Sequence, residues 1–204
     1  MEKKMKMKNQ ILLATNNDHK LGEVRSWFEM NGLNREVLGL SDAGIDIDVE
    51  ENAPDFAGNA WLKVDAIREI WKGDVIADDS GLCIQALNQA PGVLSARYAG
   101  EHGNHQKNIA KVLHEMHNQL SRSAYFITVL AGYWKDKPFT IEGKVHGKIT
   151  RHMQGWGGFG YDPIFIPNGN SRSFAEMHMA EKNLLSHRAN AFENWRTWIL
   201  ENKL

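Results

Sequence analysis

Tyr125-Phe126-Ile127-Thr128-Val129-Leu130-Ala131-Gly132-Tyr133-Trp134-Lys135-Asp136-Lys137-Pro138-Phe139-Thr140-Ile141-Glu142-Gly143-Lys144-Val145-His146-Gly147-Lys148-Ile149 is the stretch that decides the class of fold. Its first half alternates at Tyr125, Ile127, Val129, Ala131 and Tyr133. Its second half alternates at Phe139, Ile141, Gly143, Val145, Gly147 and Ile149, with Thr140, Glu142, Lys144, His146 and Lys148 on the other face. A period of two marks half-buried strands. Lys135-Asp136-Lys137-Pro138 between them reads as the turn of an antiparallel hairpin. Working outward, Ile11-Leu12-Leu13-Ala14 is a short, wholly apolar run that suits a buried strand. Leu21, Val24 and Phe28 predict a helix with Gly32 as its stop. A second helix is predicted over residues 54–71, where Ala60, Val64, Ile67 and Trp71 form one stripe and Asn59 and Lys63 share a face. Ile109, Val112, Leu113, Met116 and Leu120 mark a third helix, and Phe192, Trp195 and Ile199 a last one. Strands alternating with helices, plus a hairpin that no purely parallel sheet can hold, give the α/β class with a mixed central sheet and flanking helices.

Composition narrows the function. The 204 residues include 24 basic and 25 acidic side chains, for a net charge of −1, with 42% hydrophobic and 24% charged residues. That length can bury a substantial core as one domain or as two lobes, and the composition excludes disorder. The balanced charge argues against a protein that coats nucleic acid. No apolar run approaches the roughly 20 residues of a membrane helix, so no membrane partner is expected. The single cysteine, Cys83, excludes an internal disulfide or a cysteine-rich zinc site and fits a cytoplasmic location. Residues 1–9 read as a solvated, lysine-rich extension and residues 10–204 as a single domain.

Four segments carry chemistry. Thr15-Asn16-Asn17-Asp18-His19-Lys20 follows the first strand and opens the first helix, where unpaired N–H groups favour anions and Lys20 adds a mobile positive charge; a plain helix cap is the competing reading. In Ile76-Ala77-Asp78-Asp79-Ser80-Gly81 two carboxylates end an apolar strand before Ser-Gly turns the chain. Alternation sends them to opposite faces, and a strand-end carboxylate suits a hard cation such as Mg²⁺, with Glu50-Glu51 able to supply another; capping of the strand is the alternative. Gly155-Trp156-Gly157-Gly158-Phe159-Gly160 matches the dinucleotide fingerprint in form only. Pro163 and Pro167 forbid the helix that fingerprint must open. A glycine loop bearing Trp156, Phe159 and Tyr161 suits a flat ring, with Asp162 for polar edges, or else a tight turn over core aromatics. Ser186-His187-Arg188, with Lys182 before it, starts the last helix as a second anion- or base-reading corner. His114 and His117 stand three apart, not four, so they make no zinc-protease motif; like His102 and His105 they read as solvated.

In their order along the chain these segments resemble the inosine triphosphate pyrophosphatase family of ITP/XTP diphosphatases. The resemblance rests on Ala14-Thr15-Asn16-Asn17 with Lys20 and Glu23, on Phe56 with Asn59-Ala60 and Lys63, and on Ala77-Asp78-Asp79-Ser80-Gly81-Leu82. It continues through Pro91-Gly92-Val93, Ser95-Ala96-Arg97-Tyr98-Ala99-Gly100, Gly158-Phe159-Gly160-Tyr161-Asp162-Pro163-Ile164-Phe165, Ala175-Glu176-Met177 and Glu181-Lys182 with Ser186-His187-Arg188. It implies two lobes around a nucleotide-binding cleft, usually in a homodimer, and Mg²⁺-dependent hydrolysis of ITP, dITP and XTP to monophosphate and pyrophosphate. It implies Asp79 as the catalytic carboxylate and a metal ligand, with Glu50 as the second ligand. Thr15, Asn16, Asn17, Lys20 and Lys63 would cradle the triphosphate and Ser80 would contact substrate. Phe159, Gly160, Tyr161, Asp162, Lys182, His187 and Arg188 would hold base and sugar. The chain departs from the pattern at Asp55 and Gly58, usually threonine and glutamate, and at Asn88-Gln89, usually a glycine-bearing turn. Two rival readings are a Maf-type pyrimidine nucleoside triphosphate pyrophosphatase and a nucleotide-sensing module without turnover.

Overall fold

A computed structural model describes residues 9–204. The extension read over residues 1–9 therefore lies, apart from Asn9, outside the described residues. Six strands form one mixed sheet: β1 (Gln10–Leu13), β2 (Glu36–Leu38), β3 (Asp74–Ile84), β4 (Ser123–Trp134), β5 (Lys137–Ile149) and β6 (Phe165–Pro167), in the order β2-β1-β3-β4-β5-β6. β1 runs parallel to β2 and β3, whereas β5 and β6 are antiparallel. The helices are α1 (Asp18–Met30), α2 (Phe56–Arg68), α3 (His105–Glu115), α4 (Met179–Leu185) and α5 (His187–Glu201). This is the α/β class with a mixed sheet that the hairpin alternation requires. Lys135 and Asp136 both have positive φ, 49° and 65°, as the tight turn between two right-twisted strands demands.

The chain divides into two compact units. Among the described residues, one comprises residues 9–79 with Val129–Glu142 and Phe192–Leu204; the other comprises Ser80–Thr128 and Gly143–Ala191. In the first unit α2 buries Ala60, Val64 and Ile67 against Leu12, Val75 and Ala77, an all-aliphatic layer. Trp195 is wholly buried and meets Trp134 edge to face at 5.0 Å and Phe139 at 5.5 Å; Trp27 packs against Phe192 with tilted rings at 5.0 Å. In the second unit Leu82, Ile84, Ile109, Val112, Phe126, Tyr161, Phe165 and Phe174 form the core. There Gly143 lets α5 lie directly on β5, since a Cβ at that position would stand 2.6 Å from Ala191 Cα. Asn190 fixes that contact by donating to the Lys144 carbonyl at 2.8 Å.

Three expectations change. β3 does not end at Asp78-Asp79 but runs on through Ser80-Gly81 to Ile84, because Leu82, Cys83 and Ile84 are as buried as the residues before them. Burial of both faces overrides the local turn preference of Ser-Gly. The second helix starts at Phe56, capped by Asp55, whose side chain accepts from Gly58 N at 2.7 Å; Trp71 lies past its end. Leu120 lies past α3 and is 94% exposed, so it is no part of that helix's buried stripe.

Candidate active site

Within the first unit, β3 and α2 bring acid and base together in a buried setting. α2 puts Asn59 and Lys63 one turn apart, as their spacing predicts. Asn59 is fully buried, accepts from Ala53 N at 2.9 Å and donates through Nδ2 to Asp79 Oδ2 at 2.9 Å. Lys63 Nζ donates to the Asp78 carbonyl at 2.9 Å and pairs with Glu51 at 2.6 Å. Lys20, in the first turn of α1, pairs with the Asp78 carboxylate at 2.9 Å. Asn17 caps α1 by accepting from Lys20 N at 3.1 Å, and Thr15 Oγ1 accepts from Asn17 N at 3.2 Å, so the loop before Lys20 is internally braced. Asn16 is exposed on the same loop.

The charges are coupled. Asp78 and Asp79 are 3% and 5% exposed. Burial raises the Asp79 pKa; Lys63, the Asn59 hydrogen bond and Lys20 pull it down, Glu51 pushes it up, and burial prevails. At Lys63 burial works against the ammonium, but Asp78, Asp79 and Glu51 outweigh it and raise its pKa. Alternation gives the two aspartates different hydrogen-bonding partners, yet both act on Lys63, so neither is remote from this cluster. Glu51 belongs to the cluster through its ion pair with Lys63, whereas the Glu50 side chain is exposed. A recess of about 650 Å³ elsewhere in this unit, beside Phe28 and Leu33, has its arginines committed: Arg25 to Asp42 and Arg35 to Asp74.

The second unit holds the other set. Asp162 Oδ2 accepts from Phe159 N at 2.8 Å and from Lys182 Nζ at 2.7 Å, in a pair whose side chains are 5% and 4% exposed. Lys182 Nζ also sits 4.5 Å from the centroid of the half-buried Phe159 ring. Gly160 takes φ +60° beside it. His187 stacks on Phe126 at 4.9 Å with an interplanar angle of 16°, and Arg188 is 3% exposed. Ser186 caps α5 by accepting from Ala189 N at 3.1 Å, the capping read from the sequence. Tyr161 is a core residue, with its hydroxyl donating to the Ser95 carbonyl at 2.9 Å. Ser80 Oγ lies 2.8 Å from Thr128 Oγ1. The glycine loop leads into the short strand β6 and opens no dinucleotide-binding helix. His102, His105, His114 and His117 are exposed.

Sequence reasoning gave Asn59 no role in the site and, of the Glu50-Glu51 pair, took Glu50 over Glu51 as the ligand. The signal for Asn59 was its place on the Lys63 face; a polar side chain on the buried side of a helix needs a partner. The signal for Glu51 was a period of two: Ile45, Ile47 and Val49 are half-buried and alternate with exposed Asp46, Asp48 and Glu50, and the same period puts Glu51 on the half-buried side.

An α/β protein with a buried aspartate pair, two lysines and an orienting asparagine belongs to the class equipped for polyphosphate chemistry. The chain belongs to the Ham1 family, whose model matches residues 11–198. It is 40% identical over 194 residues to the dITP/XTP pyrophosphatase of Thermoanaerobacter sp. (strain X514), covering 94% of this chain and 97% of that one. It is 45% identical over 193 residues to the dITP/XTP pyrophosphatase of Clostridium perfringens (strain 13 / Type A), covering 90% and 94%. The Staphylococcus aureus Ham1 protein structure superposes with a TM-score of 0.84 at 37% identity, over 96% of this chain and 100% of that one.

Proposed function

We propose that this protein hydrolyses ITP, dITP and XTP to the nucleoside monophosphate and pyrophosphate, with residues 10–204 acting as one catalytic domain. The observation that carries the reading is the Asp79 carboxylate, buried beside Lys63 and oriented through Oδ2 by Asn59. Water adds to the α-phosphorus, its proton passes to the Asp79 carboxylate, and the bond to the departing pyrophosphate breaks. Lys20 and Lys63 are held at the cluster by carboxylates and meet the phosphates as fixed positive charges, with no cost of assembly at the moment of reaction. Glu51 and Asp79 offer hard oxygen donors that fit Mg²⁺; they would hold it, and when bound it would supply charge neutralisation at the phosphoryl oxygens. The braced Thr15–Lys20 loop serves the triphosphate. In the second unit Phe159 offers a flat face to a purine. Arg188 only donates, so it matches the O6 acceptor of hypoxanthine and xanthine and mismatches the adenine amino group.

The test is a panel of ITP, dITP, XTP, ATP, dTTP and UTP with pyrophosphate and phosphate both quantified. Preference for ITP, dITP and XTP with pyrophosphate release supports the reading. Turnover confined to dTTP or UTP replaces it with a pyrimidine-directed enzyme, and binding without product replaces it with a sensor. EDTA should stop the reaction and Mg²⁺ restore it; full turnover in chelator removes the metal from the proposal. A homodimer and a cytoplasmic location complete the proposal. No helix among the described residues is long and apolar enough to cross a membrane, and light scattering at working concentration tests the dimer.

A further inference from the structure

We propose that Trp156 is a base-stacking residue: its indole closes over a purine lying on Phe159 and completes an aromatic clamp. The inference rests on the pyrophosphatase reading and adds a ligand contact to it. Trp156 is 100% exposed. Single exposed apolar side chains are common, but this one stands on a backbone pinned on both sides. Gly157 N donates to the Ala175 carbonyl at 3.0 Å. Gly155 has φ +79° and lies so close that a Cβ would stand 2.6 Å from Ala175 C. Gly158 has φ +71°, and a Cβ there would stand 2.9 Å from Asp162 Cγ. No side chain fits at Gly155 or Gly158, so the loop is shaped to hold one large ring out in water, with nothing on its glycine neighbours to pack against.

The loop and the Phe159 platform are joined within the second unit. Asp162, packed under Gly158, takes both Phe159 N and the Lys182 ammonium. Lys182 is 3% exposed and lies at the Phe159 ring, which marks the inner side of that ring and leaves its exposed part turned outward. Three peptide units separate the two aromatic residues, so their Cα atoms are at most about 11 Å apart. An indole at one end and a phenyl at the other can therefore close on a flat base between them. Indole has one donor and no acceptor, so its contribution is its π-face, which every base satisfies alike. Trp156 is thus expected to add affinity without adding base preference, the opposite of the role given to Arg188.

The experiment compares wild type with Trp156→Ala and Trp156→Phe on ITP and ATP, measuring KM and kcat separately, alongside acrylamide quenching of tryptophan fluorescence with and without IMP. Loss of one stacking face should raise KM roughly five- to a hundredfold, by the same factor for both nucleotides, with kcat within about twofold and most of the loss recovered in Trp156→Phe. IMP should shield wild-type fluorescence from acrylamide more than it shields the Trp156→Phe fluorescence. An unchanged KM in Trp156→Ala, a defect confined to kcat, or equal shielding in wild type and Trp156→Phe overturns the clamp and leaves the pyrophosphatase reading standing. A wild-type protein that hydrolyses none of ITP, dITP and XTP overturns the reading itself, and the clamp with it.

Discussion

At Asp79 burial holds the carboxyl pKa up, and the opposing pulls of Lys63, Asn59 and Lys20 do not restore it. A carboxyl whose pKa is raised on folding binds its proton more tightly in the folded chain. Stability therefore falls as pH rises from the unfolded value of 3.8 through the folded one, and above the folded value the cost of the buried charge is fully present. Asp79→Asn removes that charge while keeping a carbonyl oxygen able to accept from Asn59 Nδ2. The variant should melt at or above the wild-type temperature in metal-free buffer, with ITP turnover reduced about a hundredfold or more. Calorimetry and pyrophosphate release measure the two outcomes on one sample. A variant that retains a tenth of wild-type turnover moves the proton-accepting role to Asp78 or Glu51. A clear fall in melting temperature shows that the Lys63 and Lys20 attractions outweigh burial.

Elements explain which parts of this site were legible in the sequence. α2 has a period, so Asn59 and Lys63 could be placed on one face before any coordinates. The hairpin has a period, so its turn at Lys135-Asp136 could be placed too. β3 was read too short because Ser80-Gly81 carries local turn character, whereas the burial that keeps the strand going comes from residues distant in sequence. The choice between Glu50 and Glu51 was legible in a period of two: Ile45, Ile47 and Val49 alternate with Asp46, Asp48 and Glu50, and continuing it puts Glu51 on the half-buried side, where it meets Lys63. Asn88 and Gln89, where the resemblance leads one to expect a glycine-bearing turn, indeed take positive φ values of 52° and 69°, so the backbone demand persists without glycine. At the β5–α5 contact the demand is for space. Gly143→Ala would drive a Cβ into Ala191 N and the His187 carbonyl, backbone atoms that cannot rotate away. Overpacking of this kind costs about 3 kcal/mol or more, which for a chain of this length lowers the melting temperature by roughly 6–12 °C. A shift under about 2 °C would show that α5 can slide along β5, and the positions of His187 and Arg188 would then be adaptable.

For the whole molecule, the two sets of residues can be tested separately, each with the fragment of substrate assigned to it. The first unit is assigned the phosphates, through Lys20, Lys63 and the braced loop before Lys20. The second is assigned the base, through Phe159, Lys182 and Arg188. Hydrogen exchange reads both at once, because a ligand that binds the folded chain slows the opening of the segments it holds. Pyrophosphate with Mg²⁺ should protect residues 15–20 and 59–63 and leave residues 155–162 at their free rates. Inosine, which has the base and sugar but no phosphate, should protect residues 155–162 and 182–188 and leave residues 15–20 unchanged. Protection is expected to be stronger for pyrophosphate, whose charge meets half-buried, paired lysines, than for inosine, whose main contacts are stacking contacts with exposed or half-exposed rings. Inosine protecting only residues 15–20 would invert the assignment and return the glycine loop to a structural role. Pyrophosphate protecting neither set would remove Lys20 and Lys63 from phosphate binding and leave their ion pairs with Asp78 and Glu51 as elements of the fold.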